Sequence, residues 1–329
     1  MPLLYLLPHF HLGKEEGAMA GRTLRADLFM MAAAVIWGGA FVAQRAGMEH
    51  MGPLTFNGVR FALGALTLLP VVGWVQARAA ADPDRMSVPW GGALAGTVLF
   101  GAATLQQVGL VYTTAGKAGF ITGLYVILVP LLGLFLGHRC GAGVWVGAGL
   151  ATAGLYLLSV TQALSFAPGD LWVLAGAFLW ACHVLVLGWL SPRMDSLRLA
   201  CVQFTVCAGL SLMGAGFTEV LTLDGLQEAA IPILYGGALS VGVAYTLQVV
   251  GQRHAPPAHA AIILSMEAVF AALAGWALLG ESMTGRSRWG CLLMLSGILA
   301  AQLGPSPEGP ATPAIRKEDA CGQRPRRVQ

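Results

Sequence analysis

Charge is scarce in this chain of 329 residues, where Asp, Glu, Lys and Arg make up 11%, against about 25% in a soluble domain. So few ionisable groups cannot clothe a water-facing surface, which excludes an ordinary soluble enzyme or binding module. The formal net charge is +3 and the basic residues are scattered through loop positions, so no cationic patch for nucleic acid forms. Residue-by-residue alternation is missing from the apolar runs, which excludes a membrane β-barrel. A Gly-x-x-x-x-Gly-Lys-Ser/Thr loop is missing too, so the chain brings no ATPase of its own. The six cysteines contain no Cys-x-x-Cys pair, and Cys182, Cys201, Cys207 and Cys291 sit in apolar runs, where Cys acts as a small hydrophobe. His254 and His259 flank Pro256-Pro257 at no established zinc spacing, so no metal and no other cofactor is expected. The short patch Leu3–Leu7 has no basic flank and does not read as a secretory signal.

What the chain has instead is hydrophobic length. Hydrophobic residues make up 56%, in runs of roughly 20 residues, the length that crosses about 30 Å of hydrocarbon. Ten runs between turn signals predict transmembrane helices at Ala26–Ala46, Pro53–Val75, Trp90–Tyr112, Ala115–Gly137, Ala142–Val160, Gly169–Leu190, Leu197–Phe217, Ile231–Val250, Ala258–Gly280 and Arg288–Leu303. The expected fold is therefore an all-α integral membrane bundle. Asp27 and Asp170 stand where helix N-caps belong. With the N-terminus inside, Arg78, Arg85, Arg139, Arg193, Arg198 and Arg253 fall in cytoplasmic loops, against Arg45, Lys117, Arg286 and Arg288 outside. The basic tails reinforce this bias, so both termini are expected on the cytoplasmic side of a multi-pass protein. Residues 305–329, rich in Pro and charge, read as a disordered cytoplasmic tail, and residues 1–25 as a cytoplasmic lead.

The chain also repeats itself. A shift of 143 residues carries Asp27 onto Asp170, Trp37 onto Trp180, Gly147 onto Gly290 and Gly154 onto Gly297. A shift of 142 carries Gln106 onto Gln248 and Gly109 onto Gly251. Each half holds five runs, so the halves, 26–160 and 161–304, cross in opposite directions. Inverted repeats of this kind are a mark of secondary transporters, with substrate held where the halves meet.

Four stretches carry a resemblance: Ala34-Val-Ile-Trp-Gly-Gly-Ala-Phe41, Asn57-Gly-Val-Arg-Phe61, Gly116-Lys-Ala-Gly-Phe-Ile-Thr-Gly-Leu-Tyr-Val-Ile-Leu-Val-Pro130, and Met266-Glu-Ala-Val-Phe-Ala-Ala-Leu273 followed by Leu279-Gly-Glu281. In order and spacing they resemble EamA-type members of the drug/metabolite transporter superfamily, over about Ala26 to Leu303. The resemblance implies a ten-helix bundle around a central cavity, in a bacterial inner membrane, moving a small organic metabolite such as an amino acid, often outward. Many members carry Glu-Pro where this chain has Glu267-Ala268, and Leu124 occupies the position matching Glu267. A membrane-embedded enzyme acting on a lipid or isoprenoid substrate is the alternative, but the short loops lack clusters of Asp, His or Arg at the membrane edge.

Glu267 is the sharpest candidate, as the one acid deep within an apolar run. A carboxylate at mid-bilayer costs about 2.5–3.5 kcal/mol on insertion scales and so faces protein or a wet path. It could exchange a proton, pair with a substrate ammonium, or serve as a structural acid. Arg60 shares a helix face with Asn57 and needs carbonyls, an acid or an anionic substrate, unless it snorkels outward. Gln106 and Gln248, related by the repeat, suit a shared cavity or interhelical hydrogen bonds, with Gln107 beside them. Tyr245 lies one turn from Gln248. Trp37 and Trp180 lie away from the interfacial belts and could wall a binding cavity or simply pack. His183, one turn beyond Trp180, reads more readily as a hydrogen-bonded packing residue than as a proton carrier. Lys117 opens its helix near the outer side, where snorkelling is the default, and Tyr125 sits deeper on that helix. Gly119, Gly123, Gly133 and Pro130 make that helix bendable. The stripe Gly143, Gly147, Ala151 and Gly154 suits close backbone approach, either between the halves or between protomers of a homodimer.

Overall fold

The computed structural model describes residues 8–77, 87–160, 167–279 and 283–303, and these contain helices and no strands. The helices are α1 (Pro8–Gly47), α2 (Pro53–Gln76), α3 (Val88–Tyr112), α4 (Ala115–Gly123), α5 (Tyr125–Phe135), α6 (Ala142–Ser159), α7 (Pro168–Leu190), α8 (Ser196–Thr218), α9 (Leu223–Glu228) and α10 (Ala230–Leu234). A π-helical stretch, Tyr235–Tyr245, then leads into α11 (Thr246–Gln252), α12 (Pro257–Leu264), α13 (Glu267–Leu279) and α14 (Gly285–Leu303). The proposed tail, the patch Leu3–Leu7, and Glu281 with Ser282 lie outside the described residues. Among the described residues, nine helical runs are long and apolar enough to cross a membrane. The tenth expected crossing forms as α14, where Arg286 and Arg288 in the first turn dilute the apolar run.

The expected helix starts need two corrections. Asp27 is not an N-cap, because α1 runs through it from Pro8. No proline lies between Pro8 and Asp27 to stop the helix. Asp170 is the third helical residue rather than the cap, and its carboxylate accepts the Ala167 N–H at 2.8 Å. Its own N–H donates back to the Ala167 carbonyl at 3.0 Å, satisfying two groups the helix start would otherwise leave open.

Two crossings are broken. The fourth splits at Leu124, whose N–H donates to the Ile121 carbonyl at 3.2 Å, and the ninth at Ser265–Met266, where the Met266 N–H donates to Ile263 at 3.1 Å. These i to i−3 bonds tighten the turn and end the α-helical ladder. Pro130 lies inside α5 and does not make the break. The ninth crossing breaks although no proline lies between Pro257 and Leu279.

Contacts between the halves follow a two-fold pattern. A Cβ on Gly154 would lie 2.5 Å from the Gly290 carbonyl, and one on Gly147 would lie 2.6 Å from the Gly297 carbonyl. Under the repeat Gly147 maps to Gly290 and Gly154 to Gly297, so the partners are exchanged, as an axis across the bundle requires. The small-residue stripe therefore joins α6 to α14 within one chain. The same exchange recurs where Gly109 meets the Gly169 carbonyl and Gly251 meets the Ala26 carbonyl, at 2.8 and 3.0 Å from an added Cβ. Close backbone approach of this kind is how membrane helices gain packing without a hydrophobic drive from water.

Candidate functional site

A cavity lies where the halves meet, walled by α1, α3, α7, the π-helical stretch, α11 and the two broken crossings. It brings together Trp37, Gln106, Tyr125, Trp180, Tyr245, Gln248 and Glu267, with Gln44, Thr122, Phe41 and Ser240. No lining side chain is more than 9% exposed.

The broken crossings bring their functional side chains to the cavity. Glu267 opens α13 immediately after one break, and Tyr125 opens α5 immediately after the other. A break turns the chain so that residues on either side of it reach inward, which is why discontinuous helices recur at transporter sites. Among the described residues the Glu267 carboxyl makes no hydrogen bond or ion pair, and the Tyr125 hydroxyl and Gln248 Oε1 are buried without a partner. No Lys, Arg or His lines the space. The cavity is thus an aromatic chamber with one acid and two unmet polar atoms.

Its walls are ordered by hydrogen bonds. Trp180 Nε1 donates to Gln106 Oε1 at 2.7 Å, the Thr122 hydroxyl reaches the same oxygen at 3.4 Å, and Gln106 Nε2 donates to Gln44 Oε1 at 3.1 Å. Trp37 Nε1 donates to the Ser240 carbonyl at 3.3 Å. The Tyr245 ring stands between the two indoles, 4.7 Å from Trp37 and stacked 5.9 Å from Trp180.

Five expected residues, His183, Gln107, Arg60, Asn57 and Lys117, lie elsewhere. His183 is fully buried beside the cavity, with Nε2 3.0 Å from Gln203 Oε1 and its ring edge-on to Trp180. Gln107 donates to the Gln44 carbonyl at 3.2 Å. Arg60 is 1% exposed, so it does not snorkel. Its Nε donates to Asn57 Oδ1 at 3.0 Å and its guanidinium lies 4.9 Å from the Phe61 ring centre. Phe61 in turn packs 6.0 Å from Tyr245, and Arg60 is not among the residues that line the chamber. Lys117 pairs with Asp170 at 2.6 Å instead of reaching for lipid headgroups.

Sequence reasoning passed over Gln44 and Thr122. Gln44 sits seven residues after Trp37 and Thr122 three before Tyr125, both helical same-face spacings, so the signal was present.

A model of the EamA-like transporter family matches residues 24–160 and again residues 167–301. A protein of Archaeoglobus fulgidus named an uncharacterized transporter is 31% identical, covering 88% of this chain and 90% of its own length. The uncharacterized transporter YoaV of Bacillus subtilis is 23% identical, over 82% and 94%. The uncharacterized inner membrane transporter YedA of Escherichia coli is 25% identical, over 76% and 81%. A solved crystal structure of another protein superposes with a TM-score of 0.71 at 20% identity, covering 84% of this chain and 96% of that one, a likeness of fold.

Proposed function

This chain belongs to the EamA-like transporter family, and from that premise we propose that it is a secondary transporter. It moves a small organic metabolite outward across the inner membrane by alternating access, with Glu267 exchanging a proton. The halves 26–160 and 161–304 are its two working repeats, and the Lys and Arg bias places both termini in the cytoplasm.

One observation carries the reading. Glu267 sits at a helix break, lines the chamber, and has no partner among the described residues. A structural acid in hydrocarbon would be expected to have a hydrogen-bond partner, because an unpaired buried carboxylate is costly. A carboxyl left open toward that space is placed to take a proton or a cationic group in turn. With no basic residue on the walls, a ligand ammonium or a proton is the charge the chamber accommodates best.

The test begins with a metabolite-pool screen of cells lacking or overproducing the protein, followed by flux of the identified solute in proteoliposomes at several pH values. Glu267→Gln protein is expected to insert and fold but to lose flux or its pH dependence. Unchanged flux with an unchanged pH profile would remove Glu267 from the mechanism.

A further inference from the structure

We infer that two acid–base pairs at opposite ends of the bundle, Lys117–Asp170 and His259–Asp27, are matched latches that close the two mouths of the cavity. The inference rests on the transporter reading above and concerns how access to its chamber is controlled.

The repeat relates the two pairs. A shift of 143 carries Asp27 onto Asp170, and a shift of 142 carries Lys117 onto His259. Lys117 Nζ lies 2.6 Å from Asp170 Oδ2, and His259 Nε2 lies 3.0 Å from Asp27 Oδ1. Each pair ties the first turn of a broken crossing to a continuous helix, α4 to α7 in one case and α12 to α1 in the other. Opposite crossing directions put the pairs on opposite faces, and by the charge bias Asp170 is outside and Asp27 inside.

The same short helices carry the cavity floor and roof. α4 leads from Lys117 to Thr122 and the break before Tyr125, and α12 leads from His259 to Leu264 and the break before Glu267. Swinging α4 from α7 would open the chamber to one face, and swinging α12 from α1 would open it to the other. Each swing separates one acid from one base, and the break supplies the hinge. Both pairs are made here and the side chains that line the chamber are buried, as two engaged latches require.

The latches are unequal. Asp170 also accepts the Thr113 hydroxyl at 2.6 Å and the Ala167 N–H at 2.8 Å. Asp27 has, besides His259, only a 3.4 Å contact from Gln302 Nε2 among the described residues. The Asp27 mouth is therefore the one that opens more readily.

Hydrogen exchange of the full-length protein in lipid nanodiscs tests this without any solute. Lys117→Met is expected to speed amide exchange about threefold at the ends of α3, α4 and α7 around Asp170 and to leave the Asp27 end unchanged. His259→Leu is expected to do the reverse, at the ends of α1, α11 and α12. Lys117→Arg and His259→Lys are expected to restore wild-type exchange at their own ends. Should Lys117→Met fail to fold, Lys117→Gln takes its place. Equal acceleration at both ends, no acceleration at either, or no rescue by the basic replacements would overturn the latches. Such a failure would leave transport through the chamber standing, and loss of flux in Glu267→Gln with one-sided opening intact would separate the two readings.

Discussion

The first half of the bundle and the second share one backbone plan and differ in what they set at equivalent points. Both break their fourth crossing with the same tightened turn, yet Leu124 stands at one break and Glu267 just after the other. Both place a tryptophan and a glutamine on the chamber. Trp180 donates to Gln106, whereas Trp37 turns to the Ser240 carbonyl in the π-helical stretch and leaves Gln248 Oε1 unpaired. Both tie a broken helix to its neighbour, one with lysine and one with histidine. Symmetry thus shapes the chamber and its two mouths. The departures from symmetry supply its chemistry, and they gather in the second half, where the acid, the unpaired amide and the π-helical widening all lie.

The comparison can be broken at its sharpest difference first. Glu267→Gln removes the one acid and is expected to abolish solute flux or its pH dependence while leaving the melting temperature near wild type. The conjugate change, Leu124→Asn, puts a polar group at the symmetric break and is expected to leave the pH profile of flux unaltered. A shifted profile would mean the first half also carries proton chemistry.

Next in size is the contact that joins the halves. Gly154→Leu forces a side chain against the Gly290 backbone and is expected to cost about 1–3 kcal/mol, the usual toll of overpacking, read as a lower melting temperature in detergent. Gly149→Leu on the same helix, where an added Cβ meets nothing within 4 Å, is the control and is expected to shift it little.

The tryptophan pair gives a smaller effect and a test of the asymmetry. Trp180→Phe breaks a 2.7 Å side-chain bond and leaves Gln106 short of a donor, which is expected to weaken solute binding or stability by about 1 kcal/mol. Trp37→Phe gives up a longer bond to a backbone carbonyl and is expected to cost less. Equal losses would mean that the aromatic faces, not the hydrogen bonds, set the contribution.

The smallest expected effect is at Arg60. It packs behind the aromatic wall and does not line the chamber, so Arg60→Met is expected to change the KM for the solute by less than about twofold, the size of an indirect effect. A large KM change would place the guanidinium at the substrate during part of the cycle.

Much of this was legible before any coordinates. Runs of apolar residues marked the crossings, because every backbone group in hydrocarbon must be bonded within its own helix. The repeat in Asp, Trp, Gln and Gly positions announced the inverted halves. Seven of the eight residues expected to bind substrate line one cavity; His183, bonded to Gln203, does not. The helix breaks were harder to see. Gly123 hints at one; at the other, Ser265 Oγ donates to the Ile262 carbonyl at 2.7 Å, a local bond that bends helices but that a Ser in an apolar run does not announce. The same limit applied to Asp27, which looks like a cap in the sequence and whose partner His259 lies 232 residues away.

Hydrophobic run length, the duplicated spacing and the solitary acid are properties of neighbouring residues and of arithmetic along the chain, and they were enough for the membrane class, the two-half plan and Glu267. Which side chains share a chamber, which base meets which acid, and whether the glycine stripe joins halves or protomers depend on helices far apart in the chain. Those pairings exist only once the helices are stacked, and for the glycine stripe the steric fit at Gly147–Gly297 and Gly154–Gly290 decides the question in favour of the halves.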